Sequence, residues 1–241
     1  MQLSHQQYTH IGQRDNNEDC IVSISETGVF AVCDGVGGAA KGEIASQLTC
    51  NQISDYYKSN DTTNQSREEF NKLIQLCTNT LKRYAKENPG SSGMATTLAF
   101  LKLNGNSAFV AHIGDSRVYH IRNGEVLFQT SDHSYVNELV KEGLITPEQA
   151  RFHPEKNIIT KVLGTGNNTG KADQTELNNI IPGDFFMLCT DGVIEVISDW
   201  FISTIFKTEN SVGFIMNEIK KLGEKFASDN NSAIIIKVKS I

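Results

Sequence analysis

Apolar residues recur along this chain with two periods. The runs Val29 to Cys33, Ala108 to Ile113 and Phe185 to Cys189 have strand length and are apolar or small on both alternating faces, so they predict strands covered on both sides. Longer segments repeat apolar residues three and four apart. Residues 66 to 86 place Phe70, Leu73, Ile74, Cys77, Leu81 and Tyr84 on one helical face, and Ser66 with Glu69 has capping-box spacing. Residues 42 to 58 do the same with Ile44, Ala45, Leu48, Gln52 and Tyr56, and residues 211 to 226 with Phe214, Ile215, Ile219, Leu222 and Phe226. Asn104-Gly105 and Asn123-Gly124 stand between apolar runs and predict hairpins, making the middle of the chain an antiparallel meander. Antiparallel strands buried on both faces need a second sheet on one side and helices on the other.

One segment breaks that pattern. From Ser134 to Gly170 the sequence predicts a short helix around Val136 to Glu142, then a second opening at Thr146, with Pro147 first and Gln149 completing a cap. Such an insertion reads as a flap beside the functional rim. Polar stretches at 60 to 64, 167 to 168 and 229 to 231 read as loops. No Pro- or Gly/Ser-rich linker divides the 241 residues, so the expectation is one domain over 1 to 241 with the flap at about 134 to 170.

The predicted strands deliver carboxylates. Val29 to Cys33 runs into Asp34, Ala108 to Ile113 into Gly114 and Asp115, Phe185 to Cys189 into Thr190 and Asp191, while Asp229 precedes the run Ala233 to Val238. Like charges ~4 Å apart repel by roughly 4 kcal/mol at an effective dielectric near 20, so converging Asp residues hold protons or bind cations. Oxygen-only donors favour hard ions, Mg²⁺ or Mn²⁺. Gly35 and the pair Gly37-Gly38 would let backbone approach beside Asp34. Upstream, Arg14 precedes the adjacent Glu18 and Asp19, which in a strand would face opposite ways. A guanidinium beside bound cations suits a phosphate ester, whose oxygens its planar fork matches.

Composition narrows the classes. A net charge of −6 and no visible basic patch argue against nucleic acid as partner. No apolar run reaches membrane-spanning length, and the N-terminal stretch has neither a basic flank nor an apolar core of a signal peptide, so the expectation is a protein of the cytoplasm without membrane insertion. Five cysteines without C-x-x-C spacing read as reduced core thiols.

Seven motifs then fall in order: RDNNED at 14 to 19, VCDGVGG at 32 to 38, SGMATTLA at 92 to 99, HIGDSRVY at 112 to 119, TSDHS at 130 to 134, LCTDGV at 188 to 193 and SDNNSAIII at 228 to 236. Together they resemble the motif set of the metal-dependent PPM, or type 2C, protein Ser/Thr phosphatases, most of all the short single-domain bacterial members. The resemblance implies an α+β fold, a four-layer α/β/β/α sandwich of two antiparallel sheets flanked by helix pairs. It implies two core Mn²⁺ or Mg²⁺ ions bridged by Asp34, with the Gly35 carbonyl on one and Asp191 and Asp229 on the other. Glu18 would act through water, Asp19 would orient those waters, Asp115 with Asp191 would hold a weaker third ion, and Arg14 would hold the substrate phosphate. Arg117 is read as structural. The implied reaction is direct attack on phosphorus by a water or hydroxide between the ions, on phosphoserine and phosphothreonine proteins that include a cognate Ser/Thr kinase. Val36 stands where animal members carry a His implicated as general acid, which leaves His133, His153 or water as the proton source. Two other classes use part of this set. A silent phosphoprotein- or kinase-binding module is disfavoured by the intact Arg14, Asp34, Asp191 and Asp229, and a two-metal nuclease by the lack of a basic strip.

Overall fold

The structure, a computed structural model, describes residues 1–36, 41–59, 65–166 and 169–241. The first half of the chain runs β1 (Gln2–His10), β2 (Asp19–Ile24), β3 (Val29–Val36), α1 (Gly42–Ser59), α2 (Arg67–Glu87), β4 (Ala95–Thr96), β5 (Leu98–Asn104) and β6 (Ser107–Ile113). It continues through β7 (Arg117–Arg122), β8 (Glu125–Gln129), α3 (Tyr135–Lys141), α4 (Pro147–Arg151), β9 (Leu163–Gly164) and β10 (Asp173–Asn178). The last part is β11 (Phe185–Cys189), α5 (Asp191–Val196), α6 (Asp199–Ile205), α7 (Val212–Phe226) and β12 (Asn231–Ser240). Strands pair antiparallel into two sheets, one of order β1-β12-β11-β7-β8 and one of order β10-β6-β5-β3-β4-β9 with β2 beside β3.

Alternation along each doubly apolar strand sets the layers. In β3, Phe30 and Val32 point between the sheets, toward Phe186, Leu188, Ile234 and Ile236, while Val29, Ala31 and Cys33 point outward to Ile53, Phe70 and Leu81 of α1 and α2. In β11 the other residues, Phe185 and Met187, meet Ile215 and Ile219 of α7. The layers are therefore helices, sheet, sheet, helices, as expected from sequence. Each fully buried Phe, Leu or Ile in them contributes roughly 1.5–3 kcal/mol. Among the described residues no helix is long and apolar enough to cross a membrane. All five cysteines are free thiols, four of them buried and Cys20 half-buried.

Several expectations need correcting. The predicted meander is two hairpins in different sheets: β5 and β6 pair in one, β7 and β8 in the other, and the chain crosses at Gly114, whose φ of 100° turns it between them. The hairpin signal saw the turns and not the sheet change, because β5 and β6 in one sheet and β7 in the other all carry buried apolar residues on both faces. The α1 core face is rotated by one position from the predicted one: Ala45, Thr49, Ile53 and Tyr57 are buried, with Ile44, Leu48 and Tyr56 at its margin. On α7, Val212, Ile215, Met216, Ile219 and Gly223 are buried, whereas Phe214 and Phe226 are exposed. The predicted loops at 60 to 64 and 167 to 168 lie outside the described residues, as does Gly37-Gly38.

Helix starts follow the caps. Ser66 Oγ accepts from Glu69 N–H at 3.1 Å and Glu69 Oε2 accepts from Ser66 N–H at 3.0 Å, closing the predicted box ahead of α2. Thr146 and Gln149 repeat it ahead of α4. Replacing Ser66 with Ala should cost about 1 kcal/mol, seen as a fall of roughly 2–4 °C in melting temperature for a chain of this size; an unchanged melting temperature would deny the cap its role.

Candidate metal centre

The strand ends bring the predicted carboxylates to one rim. Asp34 lies two residues before the end of β3, Asp115 follows β6 by two residues, Asp191 opens α5 just past β11, and Asp229 precedes β12. Asp19, at the start of β2, lies directly opposite Asp34 in the strand register. Backbone bonds fix Asp34 in place: its N–H donates to Thr97 Oγ1 at 3.0 Å, and its carbonyl accepts from Thr97 N–H at 2.8 Å and Thr96 Oγ1 at 2.9 Å. Thr97 Oγ1 meets Ser116 Oγ at 2.7 Å, which ties the Asp34 segment to the crossing that carries Asp115. Asp19 Oδ2 accepts from Thr190 Oγ1 at 3.0 Å, so the residue before Asp191 also holds Asp19.

Glu18 lies just outside β2, and its position depends on glycine. A Cβ on Gly42 would sit 2.4 Å from Glu18 Oε2 and 2.7 Å from the Gly35 carbonyl carbon, and a Cβ on Gly35 would sit 2.4 Å from Gly42 backbone. Only two residues without side chains permit that approach. Arg14 reaches the rim from the other side, with Nη2 donating to Asp229 Oδ2 at 2.5 Å while the side chain stays 59% exposed.

Burial and mutual repulsion dominate the electrostatics. Burial, then the charges of Asp19, Asp191, Asp115 and Asp229, push the Asp34 carboxyl well above its ordinary value. Burial first, and neighbouring carboxylates second, raise Asp115 to about 8, Asp19 to about 7 and Asp191 to about 6. Glu18 is raised by burial and by Glu43, with Arg14 opposing. Asp19 Oδ1, Asp115 Oδ1 and Asp191 Oδ1 are buried with no hydrogen-bond partner. Buried carboxylate oxygens without donors, converging with no nitrogen or sulfur among them, fit hard divalent cations.

A second cluster offers metal-ligating atoms and fails a geometric test. His112, His133 and Asp173 bring one such atom each within 4.8 Å of the others. The two imidazoles, however, are stacked with centroids 4.6 Å apart and planes 6° from parallel. A lone pair lies in its ring plane, so one ion cannot sit in both. Moreover His133 Nδ1 accepts from Gly114 N–H at 3.1 Å, which puts the ring proton on Nε2, facing Asp173 Oδ2 at 3.3 Å. This cluster clamps β6, β10 and the start of the flap. It also makes His133 a poor source of the leaving-group proton, since Nδ1 is taken by Gly114 N–H and Nε2 faces Asp173. His153 Nδ1 accepts from Glu155 N–H at 3.1 Å within the flap. Arg117 is structural as read: its fork grips Asp132 at 2.7 and 2.6 Å and its third nitrogen meets the Tyr119 hydroxyl at 3.0 Å.

The structure brings Arg14, Glu18, Asp19, Asp34, Gly35, Asp115, Asp191 and Asp229 together at one rim. Sequence reasoning missed Thr97, Thr190, Gly42 and Asn230, which hold or make room for the acidic groups; Asn230 stands in the SDNNSA stretch, where its adjacency to Asp229 was the available signal.

A two-sheet sandwich that gathers acidic oxygens and one guanidinium at a single rim has the layout of a metal-dependent phosphatase. Comparison with known proteins agrees. Residues 6–222 match the model of protein phosphatase 2C. The protein phosphatase PhpP of Streptococcus pneumoniae is 36% identical over 225 residues, covering 87% of this chain and 89% of that protein. A crystal structure of the Mycobacterium tuberculosis serine/threonine phosphatase PstP/Ppp superposes with a TM-score of 0.88 at 28% identity, covering 98% of this chain and 99% of that one. The PstP catalytic domain solved with two manganese ions gives 0.83 at 27% identity, covering 99% of each chain. The chain belongs to the protein phosphatase 2C family and is a serine/threonine protein phosphatase.

The raised carboxyls yield a stability prediction. Groups with folded values of about 6 to 8 and unfolded values near 3.9 stabilise the metal-free fold at acid pH, and that contribution is lost as pH rises through the folded values. The metal-free protein should melt at higher temperature at pH 5 than at pH 8. Asp34→Asn, which removes one of the repelling charges, should raise the pH 8 melting temperature of the metal-free protein by at least about 2–4 °C, equivalent to roughly 1 kcal/mol. A variant that melts lower at pH 8 would contradict the repulsion.

Proposed function

We propose that this phosphatase works with two core divalent cations, Mn²⁺ or Mg²⁺, and a weaker third, and that it dephosphorylates Ser and Thr of cytoplasmic proteins, including the kinase it opposes. The three partnerless carboxylate oxygens at the rim carry this reading. Asp34, the Gly35 carbonyl, Asp191 and Asp229 would hold the core pair, Glu18 would act through water, and Asp115 would hold the third ion with Asp191. Bound there, such ions supply Lewis acidity, acidifying water and withdrawing charge from phosphoryl oxygens.

The remaining roles belong to the chain itself. Arg14 binds the phosphate through its exposed guanidinium, set beside the rim by Asp229. Asp19, held by Thr190, accepts hydrogen bonds from waters in the rim and so orients them. No cysteine serves as nucleophile: Cys33 and Cys189 are fully buried, and burial pushes the Cys189 thiol up to about 12. With Val36 beside the rim and His133 committed elsewhere, a water protonates the leaving alkoxide. The flap, carrying α3 and α4, selects among protein substrates, within a single domain spanning 1 to 241.

Hydrolysis of a phosphothreonine peptide with Mn²⁺, with chelator, and by Asp34→Asn tests the core of this reading. Phosphate release should require the metal and be abolished by the substitution; binding of the peptide without release would favour a silent binding module. Arg14→Ala should lower kcat/KM by about 10- to 100-fold, the loss of a charge-assisted hydrogen bond or two, and an unaltered value would remove Arg14 from phosphate binding. Exchanging residues 134–170 for the flap of a relative should change peptide preference and spare hydrolysis of an aryl phosphate. Unaltered peptide preference would count against the flap as selector.

A further inference from the structure

Arg14 poses a positioning problem. It lies in the irregular segment between β1 and β2, which also carries Glu18, and its guanidinium is largely in solvent. A phosphate-binding fork is useful only if that segment is held in register with the rim. Three of the interactions that hold it converge on one side chain. Asn230 Nδ2 donates to the Ile11 carbonyl at 2.7 Å and to the Asn16 carbonyl at 2.9 Å, and Asn230 Oδ1 accepts from Glu18 N–H at 2.8 Å. Its own backbone N–H donates to Asp229 Oδ1 at 2.8 Å. The residue is only 5% exposed.

We propose that Asn230 is the positioning residue of this site: its amide straps the segment bearing Arg14 and Glu18 onto the strand start bearing Asp229, so that the phosphate-binding and acidic halves form one unit. This rests on the reading of those three residues given above. The chemistry selects the amide. Two carbonyls need a double donor and Glu18 N–H needs an acceptor, and a planar carboxamide supplies both on one short stem. A carboxylate at the same place would turn an anionic oxygen toward two carbonyl oxygens. The backbone is shaped for the same contact: Gln13 N–H donates to the Ser228 carbonyl at 3.3 Å, and Gly12, with φ of 63°, lies where a Cβ would be 2.1 Å from the Asp229 carbonyl oxygen.

The neighbouring Asn231 supplies a control of equal chemistry. It is fully buried, yet its Oδ1 accepts from the Tyr8 hydroxyl at 2.5 Å and its Nδ2 donates to the Asp229 carbonyl at 3.0 Å, so it bonds the β1 core and not the Arg14 segment.

The test compares Asn230→Ala, Asn230→Asp and Asn231→Ala in the full chain. In metal-free protein, amide hydrogen exchange over residues 11–18 should quicken about tenfold in Asn230→Ala, as expected for the loss of one hydrogen bond's protection. With Mn²⁺, its KM for an aryl phosphate should rise about tenfold with a smaller change in kcat. Asn230→Asp keeps the shape and the acceptor for Glu18 N–H, so it should quicken exchange at Asn16 and Asn17 while sparing Glu18, and should raise KM likewise. Asn231→Ala should lose stability with wild-type exchange over 11–18. Unchanged exchange in both Asn230 variants, or faster exchange with wild-type KM, overturns the proposal, as does an Asn231→Ala variant that loosens the segment equally. Failure of the underlying site reading shows separately, as activity surviving Asp34→Asn.

Discussion

Burying several like charges at one point is the constraint around which this molecule is arranged. Asp19, Asp34, Asp115 and Asp191 each have a carboxyl raised by loss of water and by the others, and oxygens of three of them have no donor. An acidic cluster of that kind would spread apart if its supports could yield. They cannot, because Asp34, Asp115 and Asp191 sit near or just past the ends of strands packed in close layers, and those ends are cross-tied by Thr97, Ser116 and Thr190. The stability of the sandwich therefore holds a destabilising arrangement in place, as sites poised for cation binding require.

Asp184 shows that burial alone is not the cause. Its side chain is also fully buried, between the start of β11 and β7, and loss of water pushes its carboxyl up. There the Arg122 guanidinium at 2.7 Å, His120 at 2.9 Å and the Ile181 N–H at 3.1 Å outweigh that cost and bring it down to about 2. The same residue type is satisfied in one place and left wanting in another, and the unsatisfied set is the one beside Arg14.

Much of this was legible in the sequence. Runs apolar on both faces announced sealed strands, their terminal Asp residues announced the rim, and the capping boxes at Ser66 and Thr146 marked where helices begin. Motif order then assigned the family. What escaped reading depended on long-range geometry. The crossing at Gly114 between sheets leaves no trace in periodicity, because strands of both sheets are equally apolar. The one-position rotation of α1 reflects Thr49 and Cys50 packing inward ahead of Leu48, a choice made by the sheet it lies on. Asn230 reads as an ordinary loop residue, and only the fold brings it to residues more than two hundred positions away.

Without cations the raised carboxyls of the rim hold protons, which metal binding must displace. Calorimetric titration of the metal-free protein with Mn²⁺ at pH 7, in two buffers of different ionisation enthalpy, measures that exchange directly. The binding heat should differ between the buffers by the amount expected for net proton release. A heat identical in both buffers would mean that the carboxyls are already ionised and that the repulsion described here is absent.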